Sequence, residues 1–135
     1  MNAFKSDLEF GQKSEELLKH HLLMEGYDSE SVNTHSCDLK YEVRVEVKTD
    51  REWQRTGNVA VEFKYNGEPS GISTTEAHIY VYVLDGVSAF WYAGVDELKT
   101  FLKNTVCKRV KGGDNNASDL ILLTLSQFFS VFKRL

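Results

Sequence analysis

The stretch that decides the fold is Cys37-Asp-Leu-Lys-Tyr-Glu-Val-Arg-Val-Glu-Val-Lys48. Its odd-numbered positions from 39 to 47 are apolar, and its even-numbered positions from 38 to 48 are charged. Alternation with a period of two predicts β-structure. On one straight strand, Asp38 and Glu46 would lie about 26 Å apart. We predict instead that the chain reverses near residues 40–42, which would bring the two carboxylates close together.

The residues before this stretch follow a helical pattern over positions 7–25, and Gly26 is a natural end for that helix. Glu15 falls on the apolar face of this helix, between Gly11 and Leu18. A carboxylate that faces a core is costly unless it is paired or bound to a metal. The alternative is a residue at the helix edge, with its charged head in solvent.

The residues after the stretch predict several short elements. Alternation and β-branched composition predict strands at 58–65, 78–84, 88–93 and 120–123. Helices are expected at 96–103 and 126–133, and loops at 68–75 and 108–118. This order predicts an α/β protein with one mixed β-sheet flanked by helices, in a single domain of residues 1–135.

Composition limits the classes of function. The 135 residues carry 16 Lys and Arg against 20 Asp and Glu, a net charge of −4. That balance argues against a protein that coats nucleic acid, but an enzyme that contacts a few phosphates is compatible with it. Two cysteines are too few for a disulfide scaffold. The sequence shows neither an apolar run of bilayer length nor a signal peptide, so we expect a cytoplasmic protein without a membrane partner.

Three carboxylates and one lysine form the chemically informative set: Glu15, Asp38, Glu46 and Lys48. Carboxylate oxygens suit Mg²⁺, which polarises phosphate and activates water. A lysine supplies a positive charge beside the reacting phosphate. The set therefore suits phosphodiester hydrolysis. The alternatives are a turn residue at Asp38 and an ordinary solvated strand face at Glu46 and Lys48.

These residues, in this order, resemble the PD-(D/E)XK nuclease superfamily, which has a restriction-endonuclease-like fold. The pieces that match are Gly11-Gln-Lys-Ser-Glu15, Gly26-Tyr27, Asp38 and Glu46-Val47-Lys48. The first two pieces are similar to the archaeal Holliday-junction resolvases. Cys37 stands where the signature has proline. Residues 58–62 and 69–75 faintly resemble blocks in small phage-encoded and viral members, which would place the protein in the host cytoplasm.

The resemblance implies a Mg²⁺-dependent endodeoxyribonuclease, with Mn²⁺ able to substitute. By position, Asp38, Glu46 and Glu15 would bind the metal, and Lys48 would be the catalytic lysine. The most specific expectation is a structure-specific enzyme that resolves Holliday junctions in branched DNA. Two symmetric cuts would require a homodimer. The alternatives are a nuclease for single-stranded, flap or duplex DNA, or a non-catalytic nucleic-acid- or protein-binding domain of the same fold.

Further residues are candidates for supporting roles. Glu62 could stand behind the metal ligands, or it could simply face solvent. Other residues could contact DNA phosphates, with ordinary loop or solvated roles as the alternative. Phe128, Phe129 and Phe132 are candidates for the dimer surface, with core packing as the alternative. The candidate DNA contacts are Arg51, Arg55, Ser70, Gly71, Thr74, Thr75, Lys108, Arg109 and Lys111.

Overall fold

The computed structural model describes residues 43–135 of the chain. The helix expected over residues 7–25 with Glu15, the residue Asp38 and the reversal near residues 40–42 lie outside the described residues. Predictions that concern those positions therefore remain predictions.

The described part contains strands, short helices and two single turns of 3-10 helix, at Gly71–Ser73 and Asp114–Asn116. The strands are β1 (Val45–Asp50), β2 (Asn58–Tyr65), β3 (Glu68–Pro69), β4 (Ile79–Leu84), β5 (Phe90–Gly94), β6 (Lys108–Gly112), β7 (Ser118–Thr124) and β8 (Lys133–Arg134). The helices are α1 (Trp53–Thr56), α2 (Val95–Asn104) and α3 (Leu125–Val131).

The strands form two sheets, ordered β1-β4-β5-β8 and β3-β2-β7-β6. β1 pairs in parallel with β4, whereas the other pairings are antiparallel. The α/β class is confirmed for residues 43–135, but the prediction of one mixed sheet is wrong there. The reason is that β2 takes β7 as its long partner instead of joining β1, so the chain between β1 and β4 starts a second sheet.

Local turn chemistry explains where the prediction succeeds. The expected strand at 58–65 matches β2, and Asn66 and Gly67 form the turn after it with φ values of 50° and 79°. That turn returns the chain into β3, so the first two residues of the expected loop at 68–75 are strand. Asparagine and glycine tolerate this left-handed backbone best.

The expected loop over residues 108–118 is wrong over its first half. Lys108–Gly112 is the strand β6, which pairs with β7 along one side. In the sheet order β6 stands last, after β7. Charged residues are common on such outer strands because their side chains stay in water and discourage pairing with other chains. The polar composition of residues 108–112 therefore led to the prediction of a loop where the structure has a strand.

The main core lies between the two sheets and under α3. Val59, Val61 and Leu123 of the second sheet are fully buried against Tyr80 and Leu84 of the first. Each sheet therefore buries one apolar face against the other sheet, as is usual in layered folds.

The C-terminal aromatic residues belong mainly to this core. Phe128 and Phe132 are buried, with their rings stacked 4.5 Å apart between centroids. Thr124 and Gln127 form a reciprocal capping box that fixes the start of α3, and hence the side from which Phe128 enters. The expectation of a dimer surface is therefore wrong for Phe128 and Phe132. Phe129 is 48% exposed.

Two side chains of the first sheet satisfy the open edge of β2. The Ala60 amide donates to Asp50 Oδ2 at 3.0 Å, and the Tyr82 hydroxyl donates to the Ala60 carbonyl at 2.9 Å. Both backbone groups of Ala60 are thus bonded on the side away from β7. These contacts hold β2 beside the end of β1 and fix where its later residues lie.

Candidate active site

Glu46 and Lys48 lie on the same face of β1, as their even spacing requires. Lys48 Nζ is 3.1 Å from Glu46 Oε1, and the two side chains are 37% and 45% exposed respectively. An ion pair this exposed contributes at most about 1 kcal/mol to stability. The carboxylate and the ammonium of this pair are therefore accessible to solvent, and the pair contributes little to the free energy of unfolding.

The register between β1 and β4 decides what surrounds this pair. Glu46 is paired with Tyr80, and Lys48 is paired with Tyr82. Paired residues of neighbouring strands present their side chains on the same face. The intervening Val47 lies on the opposite face and packs near Val81. Glu46 and Lys48 of β1 thus share one face of the first sheet with Tyr80 and Tyr82 of β4.

Tyr80 brings a buried hydroxyl to this region. The residue is 1% exposed, and its hydroxyl has no hydrogen-bond partner among the described residues. Burial raises the pKa of Tyr80 to about 12, and the negative charges of Glu46 and Glu62 raise it further, while the Thr75 side chain partly offsets them. The hydroxyl therefore keeps its proton at neutral pH and can donate a hydrogen bond.

Glu62 is held in place by two serine hydroxyls. Ser118 Oγ donates to Glu62 Oε1 at 2.6 Å, and Ser70 Oγ donates to Glu62 Oε2 at 3.1 Å. These bonds are partly buried, so the interpretation of Glu62 as an ordinary solvent-facing residue is wrong. Its predicted place behind the metal ligands stays a prediction.

The loop after β3 packs closely on Glu62. Gly71 has a φ of +52°, and a Cβ atom there would collide with the Glu62 carbonyl oxygen. Only glycine allows this backbone approach. Ser70 bonds the Glu62 side chain, and Thr75 Oγ1 accepts from the Ala77 amide at 3.1 Å. Ser70, Gly71 and Thr75 therefore serve the packing of this loop, whereas Thr74 is exposed.

Asp50 is a third charged residue on the face of Glu46 and Lys48, but it has a structural task. Its Oδ1 accepts from the Glu52 amide at 2.9 Å, and its Oδ2 accepts from the Ala60 amide. The residue is buried. Sequence analysis missed it. It could have been noticed as the next charged residue in the alternation of Glu46 and Lys48, at the end of the strand.

The basic candidates for DNA contact are spread over two elements. Arg51 precedes α1 and Arg55 lies in it, where Arg55 Nε is 2.6 Å from Glu52 Oε2. On β6, Lys111 pairs with Asp119, and the Arg109 guanidinium stands 5.3 Å from the centre of the Phe63 ring. Lys108 is exposed on the same strand. Contact between these residues and DNA remains a prediction.

A divalent metal would need ligands beyond the described part of the chain. Within residues 43–135, no three His, Cys, Asp or Glu residues come together in a way that could hold a metal ion. Glu46 is the accessible carboxylate at the candidate site. Asp38 and Glu15, the other two predicted ligands, lie outside those residues. Oxygen ligands from carboxylates are the type that Mg²⁺ prefers.

The comparisons with known proteins give no match: no family profile, no curated protein and no solved structure is significantly similar to this chain. In the described part, no helix has the length and apolar character needed to cross a membrane.

Proposed function

We propose that this chain is a Mg²⁺-dependent DNA endonuclease. The observation that carries the proposal is the Glu46–Lys48 pair, in which an accessible carboxylate and an ammonium lie 3.1 Å apart on one strand face. The pair adds little stability, and it lies beside a buried tyrosine on the same sheet face. Its order after Asp38 and Glu15 in the sequence is the second support.

Glu46 would hold Mg²⁺ together with Asp38 and Glu15. All three supply carboxylate oxygens, and this donor chemistry suits a hard cation. When bound, the metal polarises a phosphate and makes water a better nucleophile. Asp50 is unsuited to the same task, because both of its oxygens accept backbone hydrogen bonds.

Lys48 acts through its charge. Its ammonium lies beside Glu46, and it would supply a positive charge to the phosphate as negative charge develops during hydrolysis. The same ammonium can hold the attacking water by a hydrogen bond. The ion pair keeps the two side chains close together, although an exposed pair is too weak to fix them.

The proposed substrate is branched DNA, with a Holliday junction as the specific case. The chain is acidic overall, so binding relies on local positive charge such as Arg51, Lys108 and Arg109. Resolution of a junction needs two symmetric cuts, and hence two copies of the site in a homodimer. Phe129, exposed beside the buried Phe128, is the remaining aromatic candidate for the dimer contact.

The proposal is tested by incubating the protein with labelled four-way junction, duplex, single-stranded and flap DNA, in Mg²⁺ or in EDTA. Paired cuts confined to the junction and lost in EDTA would support junction resolution. Metal-dependent cleavage of another substrate would keep the nuclease and overturn the junction assignment. If the folded protein cuts none of these DNAs, the nuclease proposal is wrong and the alternative of a non-catalytic binding domain is favoured.

A further inference from the structure

The Tyr80 hydroxyl is a buried polar group that the described residues leave without a hydrogen bond. Such groups are rare because removing a hydroxyl from water is costly unless its hydrogen bonds are replaced. Tyr82, on the same face two residues later, shows the usual solution, since its hydroxyl donates to the Ala60 carbonyl at 2.9 Å. Within residues 43–135, the Thr75 side chain lies close enough to lower the pKa of Tyr80, but no hydrogen bond of good geometry satisfies the hydroxyl.

Two glutamates lie on the strands beside Tyr80. Glu46 is the register partner of Tyr80 on β1. On the other side, β2 passes Tyr82 at Ala60, and Glu62 follows two residues further along β2. The negative charges of both glutamates also raise the pKa of Tyr80, in agreement with this placement from register and from the Tyr82–Ala60 bond. Neither glutamate forms a direct hydrogen bond with this hydroxyl.

A single water molecule can hydrogen-bond to one hydroxyl and two carboxylates at once. Its oxygen can accept from the Tyr80 hydroxyl, and its two hydrogens can be donated to two carboxylates. Buried waters typically make about three hydrogen bonds to otherwise unsatisfied groups. We propose that an ordered water joins the Tyr80 hydroxyl to the Glu46 and Glu62 carboxylates, and that Tyr80 and Glu62 are positioning residues for Glu46. The consequence for catalysis rests on the proposed nuclease function.

The bonds around Glu62 extend this network to the loop after β3. Ser118 and Ser70 each occupy one oxygen of Glu62, which fixes the plane of its carboxylate. At Gly71 the loop backbone packs directly on the Glu62 carbonyl. A fixed Glu62 can orient the water, and the oriented water can hold Glu46 in one rotamer. The loop would therefore influence the site without touching DNA.

Crystallography of the wild-type protein and of Tyr80→Phe tests the water directly. We expect an ordered water within hydrogen-bond distance of the Tyr80 hydroxyl and of both carboxylates, and its loss or displacement in Tyr80→Phe. A Tyr80 hydroxyl bonded to a protein group, or a water that contacts neither glutamate, would overturn the inference.

Steady-state cleavage separates positioning from a merely structural role. Tyr80→Phe and Glu62→Gln should lower kcat by about tenfold or more, with little change in KM. The matched control is Tyr82→Phe, which should lower the urea midpoint but leave kcat per folded molecule unchanged. An unchanged kcat in Tyr80→Phe would refute the positioning role, even where the water is present.

The two proposals can fail independently. If the wild-type protein cuts no DNA, the nuclease proposal fails, and the crystal structures alone decide whether the water network exists. If the wild-type protein cuts DNA and Tyr80→Phe cuts equally well, the nuclease stands and the positioning role is wrong.

Discussion

Glu46 and Tyr80 are register partners on the parallel strands β1 and β4, so a half-exposed carboxylate and a fully buried hydroxyl share one face of the first sheet. Lys48 continues that face and pairs with Glu46. The arrangement places the accessible charges at the edge of the core and a buried hydroxyl, which can donate a hydrogen bond, just inside it. The first sheet thereby serves both as a core layer and as the base of the candidate site.

Substitution of Glu46 should separate activity from stability. Glu46→Gln removes the charge of an exposed ion pair, so the free energy of unfolding should change by less than about 1 kcal/mol. Cleavage should fall by about a hundredfold or more, because a proposed metal ligand is lost. The control is Glu76→Gln, which removes a similar exposed pair with Arg44 and should leave cleavage intact. Equal activity in both variants would contradict the role of Glu46.

Asp50 should behave in the opposite way. Asp50→Ala leaves the amides of Glu52 and Ala60 without their carboxylate acceptor, and it should lower the free energy of unfolding by about 2–3 kcal/mol. Asp114→Ala changes an exposed aspartate and should have little effect on stability. Urea denaturation of both variants measures this difference. Equal midpoints would show that Asp50 does not tie the sheets together.

Gly71 should tolerate alanine less well than Gly57. Both have positive φ, but a Cβ at Gly57 meets nothing within 4 Å, whereas one at Gly71 meets the Glu62 backbone. Gly57→Ala therefore isolates the strain of the left-handed backbone. Gly71→Ala should cost about 1–3 kcal/mol more, because the loop must move off β2. The same denaturation series tests this, and equal losses would refute the close packing of the loop.

The stability of the protein should fall in alkaline solution partly through Tyr80. The folded state raises the pKa of Tyr80 from 10.0 to about 12, because burial and the nearby glutamates disfavour the phenolate. The folded state therefore holds this proton more tightly than the unfolded state does. The associated stability is complete below the unfolded pKa and is lost as the pH rises towards the folded pKa.

Urea midpoints from about pH 9 to about pH 11 check this expectation. Tyr80→Phe should show a smaller alkaline loss of stability than the wild-type protein, since phenylalanine has no proton to release. Tyr82, whose pKa burial also raises, remains in both proteins and supplies a common background. Identical alkaline profiles would mean that Tyr80 ionises as freely in the folded as in the unfolded state.

Elements set by local chemistry could be predicted from the sequence. The strand at 58–65 and its Asn66-Gly67 turn follow from alternation and from backbone preference, and the structure confirms both. The common face of Glu46 and Lys48 follows from a period of two. In each case the signal lies within a few consecutive residues.

Choices between distant partners could not be predicted. Alternation shows which face of β2 is apolar, but not that β2 pairs with β7 and leaves β1 to β4. The strand β6 was missed because a charged outer strand has the composition of a loop. Asp50, Ser118 and Tyr80 gain their surroundings only from contacts across the fold. Their roles depend on register and burial, which a single sequence does not encode in any short pattern.

The central claim is tested most directly by the Mg²⁺ dependence of cleavage of a labelled four-way junction, with wild-type protein and Lys48→Met side by side. We predict cleavage that rises with Mg²⁺, disappears in EDTA and is lost in Lys48→Met although that variant stays folded. Cleavage that persists in EDTA, or that Lys48→Met retains in full, would contradict a metal-dependent site built on Glu46 and Lys48.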